Sequence, residues 1–380
     1  MKKVIPFLLL FLFICGLGLY FGRLVTAPEQ NIVKVEDKTN QQIVEKEEKK
    51  KEEITTTSAS LSSIGDILIH DRVYEPAHIG DGKYDFTPHL KNVQPLLNSA
   101  DITMANQESL IGGTEIGLSS YPSFNSPYEV GDVLKESGID LVTMANNHTL
   151  DRGEKAIQSA ISHWNQLGIP YTGAFLSEED KKNIRTIEKN GIIFSFLAYT
   201  YGTNGIETPK NKPYLVNRIE ESNIDQDIAK ASAVSDVVVL SLHFGKEYER
   251  MPNEEQKQLA LKTANAGADI IIGHHPHVLQ PMEWIERDDG KRAFVAYSLG
   301  NFFTGQNEDY KDIGGVLNIT VEKKLESGEI VLKEPSFIPT FVNKDYHVYP
   351  LEQVAGKEKV YEEIIEHMKM WVPELTFAFK

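Results

Sequence analysis

Six short apolar runs in this chain each end in residues that carry chemistry, and no other feature constrains the fold as much. Ala59–Ile64 runs into Gly65-Asp66, Asp101–Ala105 into Asn106-Gln107-Glu108, and Ile139–Ala145 into Asn146-Asn147-His148. Asp236–Leu242 runs into His243-Phe244-Gly245, and Asp269–Ile272 into Gly273-His274-His275-Pro276-His277. Ala293–Tyr297 runs into Ser298-Leu299-Gly300-Asn301. Stretches with helical periodicity lie between them: Asn92–Ser99, Val130–Ser137, Glu154–Leu167, Glu220–Val234 and Glu254–Ala266. Nearly continuous apolar strands alternating with helices predict an α/β fold whose sheet is covered on both faces. Ligands of such sheets bind beyond the carboxyl ends of the strands. A metal site assembled from several strand ends would leave this pattern.

The other global features exclude more than they specify. A single cysteine, Cys15, rules out an internal disulfide framework and a thiolate zinc site. No repeat of 20–50 residues points to a solenoid. The net charge of −16 argues against nucleic acid as a partner. That charge is uneven. Residues 1–58 hold nine Lys/Arg against eight Asp/Glu, a net of +1, and the other 322 hold 30 against 47, a net of −17.

The amino terminus predicts the compartment. Lys2 and Lys3 precede Val4–Gly22, 19 residues without a charge, and Arg23 closes the run. A helix needs about 20 apolar residues to span a bilayer. The leading lysines favour a cytoplasmic amino terminus. We therefore expect a membrane anchor over 1–23, with a cleaved signal peptide as the alternative. Residues 24–58 contain the Glu/Lys run 45–53 and few large apolar side chains, which predicts a disordered charged spacer. The folded domain is expected over 59–345. A carboxyl-terminal helical extension packed on it is expected over 346–380, with Val360, Ile364 and Met368 on its apolar stripe. Protein location follows: a single-pass cell-membrane protein with its domain outside the cytoplasm.

The strand-end residues suit divalent cations. Carboxylates, imidazoles and a carboxamide without thiolate fit Mn, Fe, Zn, Mg or Ca. Asp66 and Glu108 are candidate anionic ligands, Asn147 a neutral oxygen, and His243, His275 and His277 imidazole ligands. Two ions sharing a carboxylate would polarise a substrate and generate hydroxide near neutral pH. His148 is a candidate general acid, with Asp151 three residues on to fix its tautomer. Glu247 is a candidate to orient His243. His78, His89, His163, His347 and His367 have no such context and are expected at the surface or at caps.

These motifs resemble a known family. Gly65-Asp66, Asn106-x-Glu108, Ala145-Asn146-Asn147-His148-x-x-Asp151-x-Gly153, His243-x-Gly245-x-Glu247, Gly273-His274-His275-Pro276-His277-Val278 and Ser298-Leu299-Gly300-Asn301-Phe302 look like the poly-γ-glutamate capsule biosynthesis proteins of the CapA/PgsA type. The resemblance covers about residues 60–305. That family is similar to calcineurin-like metallophosphatases, which implies a four-layer αββα sandwich around two divalent metal ions. It implies metal-ligand positions for Asp66, Glu108, Asn147, His243 and His277, with Glu108 bridging, and the catalytic-histidine position for His148. His274 joins His148 and Asp151 as a candidate catalytic group, and which of His274 and His275 ligates stays open. Metallophosphatases place a histidine two residues after the first aspartate. This chain has Leu68 there, so His70 is a candidate to replace it or to contact substrate. Asn106, Asn146 and Asn301 are candidates for substrate contact or ligand support.

The resemblance implies a membrane-anchored protein of poly-γ-glutamate synthesis or export, acting through its metal site on the polymer or its ends. The implied partners are the anionic polymer or its precursor, subunits of the membrane synthase or export complex, and the membrane itself. The alternatives are a non-catalytic polymer-binding component of that complex and a metal-dependent surface phosphoesterase. An acidic domain would repel a polyanion, so a poly-γ-glutamate substrate requires a metal-bearing cleft that offsets the local field.

Overall fold

The structure, a computed structural model, describes residues 55–220 and 223–378. Its strands are β1 (Thr56–Leu68), β2 (His78–Gly80), β3 (Lys83–Tyr84), β4 (Ile102–Gln107), β5 (Leu141–Thr143), β6 (Tyr171–Thr172), β7 (Arg185–Lys189) and β8 (Ile192–Thr200). They continue with β9 (Val237–His243), β10 (Ile270–His274), β11 (Leu279–Glu286), β12 (Arg292–Leu299), β13 (Asn301–Thr304), β14 (Ile313–Lys324), β15 (Ile330–Val342) and β16 (Val348–Pro350). The longer helices are α1 (Glu129–Glu136), α2 (Gly153–Leu167), α3 (Ile224–Ser232), α4 (Glu254–Ala266) and α5 (Glu358–Lys369).

Two mixed sheets form the centre. The first runs β16-β15-β14-β1-β4-β5-β6, with β13 also paired to β1. The second runs β11-β12-β10-β9-β8-β7. Every strand whose end carries a motif lies in a parallel stretch: β1, β4 and β5 in one sheet, β9, β10 and β12 in the other. The flanking strands β7, β11, β14, β15 and β16 are antiparallel additions.

Alternation along the strands divides three cores. Val237, Val239, Ile270 and Ile272 face Leu61, Ile102, Met104 and Leu141 of the other sheet, so the sheets pack face to face. Val238, Leu240 and Ile271 point the opposite way, onto Ile224 and Ile228 of α3 and Ala260 and Ala264 of α4. Ile64, Ala105 and Val142 pack on Val133 and Leu134 of α1 and on Ile157, Ile161 and Trp164 of α2. The layers are helices, sheet, sheet, helices. Strands buried on both faces explain the continuous apolar runs of the sequence.

Local signals set the element ends. In α4, Asn253 Oδ1 accepts from Gln256 N at 2.9 Å and Gln256 Oε1 accepts from Asn253 N at 3.0 Å, a reciprocal cap. Gly267 ends the helix at φ 119°. Removing the cap with Asn253→Ala is expected to cost about 1 kcal/mol. A urea midpoint equal to wild type would refute that.

β1 begins at Thr56, paired with Lys324, so the ordered domain starts within the stretch expected to be spacer. The 346–380 segment supplies β16 as well as α5, because Val348 and Pro350 are buried beside β15. Ile364 and Met368 of α5 enter the core between the sheets. The expected anchor and nearly all of the expected spacer lie outside the described residues. No helix among the described residues is long and apolar enough to cross a membrane.

Candidate metal centre

The register of the strands brings the motif residues to one level. Asp66 on β1 pairs with Asn106 on β4 and with Asn301 on β13. His243 on β9 pairs with His274 on β10. A bulge at Gly65 turns Asp66 out of the β1 alternation. No side chain fits there, since a Cβ on Gly65 would lie 2.2 Å from Gly300 O. Face-to-face packing of the sheets then sets the two groups of strand ends against each other.

Three overlapping triads of donor atoms result: Asp66/Glu108/His277, Glu108/His243/His275 and Glu247/His275/His277, each with its atoms within 4.8 Å of one another. Glu108 belongs to both buried triads. Its Oε1 lies 3.4 Å from His243 Nε2 and 3.6 Å from His277 Nε2. Asn147 Oδ1 sits 2.8 Å from the same His243 nitrogen. Asp66 Oδ1 accepts from Asn106 Nδ2 at 2.9 Å and faces His274 Nδ1 at 2.9 Å. Its Oδ2 accepts from His275 N at 3.3 Å and lies 3.4 Å from His277 Nδ1.

Two observations are what a candidate cation site would show and polar packing alone would not. Both Glu108 carboxylate oxygens are buried without a hydrogen-bond partner. Burying such a group unsatisfied costs about 1–3 kcal/mol, and more when it is charged. His275 and His277 also hold φ values of 96° and 57°. Left-handed backbone at a bulky residue costs of order 1–3 kcal/mol each. A divalent ion would satisfy Glu108 and account for the aim of both imidazoles.

Electrostatics agree with the donor set. Burial pushes the His243 imidazole well below its ordinary value, and burial takes His275 down to about 2. Both are therefore neutral, the form that ligates. Burial raises Glu108 to about 8. Burial opposes protonation of His277, but the Glu108 charge and the Asp66 hydrogen bond and charge outweigh it and raise the group to about 9. A proton is favoured at His277, beside the two carboxylates, while His243 and His275 keep free lone pairs.

The remaining motif residues surround this cluster. His148 Nδ1 lies 2.7 Å from Asp151 Oδ2, and Asp151 Oδ2 also accepts from Phe124 N at 2.8 Å. That contact commits Nδ1 and leaves Nε2 free. His274 is 1% exposed, bonded to Asp66, and its Nε2 has no partner. Asn301 Oδ1 lies 3.0 Å from His277 Nδ1. Asn146 bonds Gln107 O and His148 N, so its side chain shapes the loop. His70 is outside all three triads. Its Nδ1 lies 3.0 Å from Leu68 O and 3.2 Å from Gly305 N, and its ring lies edge-on to Phe124, which in turn lies edge-on to His148. Glu247, expected to orient His243, shares a triad with His275 and His277.

Two neighbours come from Tyr199–Gly205, a strand-to-loop turn expected from the sequence near the site, with packing and substrate contact both left open. Asn204 Oδ1 accepts from Asn147 Nδ2 at 3.3 Å, and Asn204 Nδ2 lies 3.3 Å from His148 Nδ1. Tyr201 lies 4.7 Å from the His275 ring. Both follow β8, a strand ending that offered only the polar stretch after Tyr199 as a signal. Among the histidines expected at the surface, His89 is instead 5% exposed, packed on Phe86, Phe303 and His347.

Comparison with known proteins gives the same motifs a family. The "PGA biosynthesis protein CapA" of Bacillus subtilis (strain 168) is 36% identical over 176 residues, covering 46% of this chain and 45% of that protein. The "Capsule biosynthesis protein CapA" of Bacillus anthracis is 30% identical over 266 residues, covering 65% of this chain and 60% of that protein. The chain thus spans about half the length of these relatives. Among solved structures, the calcineurin-like phosphoesterase YfkN from Bacillus subtilis aligns with 82% of this chain and 98% of its own at 16% identity and a TM-score of 0.43. The family described as "Bacterial capsule synthesis protein PGA_cap" matches residues 60–306. That match covers well over half of the chain and spans Asp66 to Asn301, so the chain belongs to the bacterial capsule synthesis protein family PGA_cap.

Proposed function

We propose that this protein acts in poly-γ-glutamate capsule synthesis or export, with the buried cluster as a two-ion metal centre working on the polymer or its ends. The observation that carries the metal reading is Glu108, a buried carboxylate shared by two triads and bonded to nothing else. The names of the relatives and the family carry the capsule reading. The helix–sheet–sheet–helix layering is compatible with a metallophosphatase-type sandwich. Asp66, Glu108 and His277 would hold one ion, and Glu108, His243, His275 and Asn147 the other. Asn106, His274 and Asn301 would hold the ligands in place. His274 stands behind Asp66, in a supporting position rather than a reacting one.

Divalent ions there would polarise a substrate oxygen and bring the pKa of bound water toward neutrality. The chain's own residues do the rest. Asp151 holds Nδ1 of His148, so Nε2 is the atom that gives or takes a proton. Asn204 Oδ1 accepts from Asn147 Nδ2 and so supports the Asn147 carboxamide. Local positive charge at the centre lets an otherwise acidic domain admit a polyanion. The run of 19 uncharged residues after Lys2 and Lys3 supports an anchor that keeps the domain at the outer membrane surface.

Complementation tests the reading. In cells lacking this gene, His148→Ala is expected to lower polymer output about 100-fold or more, with protein level and bound metal unchanged. Polymer output equal to wild type would mean that the site does no chemistry on the polymer.

A further inference from the structure

The third triad is not explained by the two buried ones. Glu247 is exposed, yet its carboxylate comes within 4.8 Å of donor nitrogens on His275 and His277. His277 belongs to one buried triad and His275 to the other. Glu247 therefore lies near both halves of the cluster on the solvent side.

Its position is built. Phe244 N donates to His274 O at 3.1 Å and Tyr248 N to Pro276 O at 2.8 Å, fastening the loop after β9 along the triple-histidine loop. Gln280 Nε2 donates to Glu249 O at 2.7 Å, and Gln256 Nε2 in turn donates to Gln280 Oε1 at 2.9 Å. Gly245 makes the turn at φ 96°, where a Cβ would lie 2.6 Å from the Gln256 side chain. The loop is thus tied before Glu247 through Phe244 and after it through Tyr248 and Glu249. A carboxylate held so close to two candidate ligands is preorganised for a cation.

Charge gives the reason. Asp66 and Glu108 bring two negative charges to a centre where two divalent ions bring four positive ones. The imidazoles are neutral when they ligate. Glu247 is the one further carboxylate that the described residues bring into a triad with these histidines.

We infer that Glu247 is a solvent-side carboxylate ligand of the metal cluster, closing it through the His275/His277 position. This rests on the metal-centre reading above. It would give the two-ion centre a third carboxylate, on the side of His275 and His277 that faces solvent.

The test is Mn²⁺ binding to the full chain after chelation, with free Mn²⁺ followed by electron paramagnetic resonance. Glu247→Gln is expected to weaken at least one Mn²⁺ by about tenfold or more, with an unchanged melting temperature in EDTA. Glu249→Gln removes the same charge from a side chain outside the triad and is expected to bind as wild type. Binding by Glu247→Gln within twofold of wild type overturns the inference and leaves the buried centre standing. Equal weakening by Glu249→Gln overturns it too, as a general field effect. If wild type takes up no Mn²⁺ at all, the metal-centre reading falls, and this inference with it.

Discussion

Glu108→Gln is expected to strip the centre of metal while leaving the metal-free protein at least as stable as wild type. Glu108 contributes a carboxylate to both buried triads, so its loss removes an anionic ligand from each. The same carboxylate makes no hydrogen bond, and burial raises it to about 8, so its charge is unfavourable in the metal-free fold despite the nearby imidazoles. Gln keeps the shape and avoids burying that charge, which favours the variant by about 1–3 kcal/mol. Functional residues held at a cost to stability behave this way. Metal analysis and melting in EDTA read the two effects separately. A variant that melts well below wild type in EDTA would make Glu108 a structural residue.

Asp66→Ala is expected to fail on both counts. Asp66 accepts hydrogen bonds from Asn106 Nδ2 and His275 N and faces His274 Nδ1 at 2.9 Å. Removing it strands these buried groups, and breaking a buried charged network typically costs about 3–5 kcal/mol. Metal should be lost as well, since the Asp66/Glu108/His277 triad loses a member. Chemical denaturation in EDTA isolates the structural part. A denaturation midpoint like that of wild type would show that the network around Asp66 does not hold the fold. The contrast between these two acids is the sharper test: one is a hub of hydrogen bonds, the other makes none and meets only imidazoles at 3.4 and 3.6 Å.

Much of this was legible because the parallel strands are buried on both faces. Continuous apolar runs such as Val237–Leu242 announce such strands, and whatever follows them must stand at the sheet's carboxyl edge. α4 spans the expected residues because Asn253, Gln256 and Gly267 mark both ends. α3 starts at Ile224 rather than at 220, since Asn223 supplies the cap by accepting from Gln226 N. The antiparallel rim was harder to see. β15 contains Pro335 and Pro339, which argue against a strand. Pro335 is accommodated where the pairing with β14 shifts register, beside Glu334 at φ 51°.

The triple-histidine loop shows a limit of spacing arguments. His274 and His275 are neighbours, and nothing in their order says which one meets Glu108. The backbone decides: His274 ends β10 in register with His243, while φ 96° at His275 turns its ring toward His243, 4.9 Å away. Asn204 lay in the turn Tyr199–Gly205, expected near the site but with its role, packing or substrate contact, left open. It comes from the loop after β8 and meets Asn147 only because the two sheets pack face to face.

The most direct measurement of the central claim is the metal content of the full chain, by equilibrium dialysis and elemental analysis. The account requires about two divalent ions per wild-type chain and at most one in Glu108→Gln. A wild-type chain that binds no divalent ion more tightly than Glu108→Gln does would contradict it.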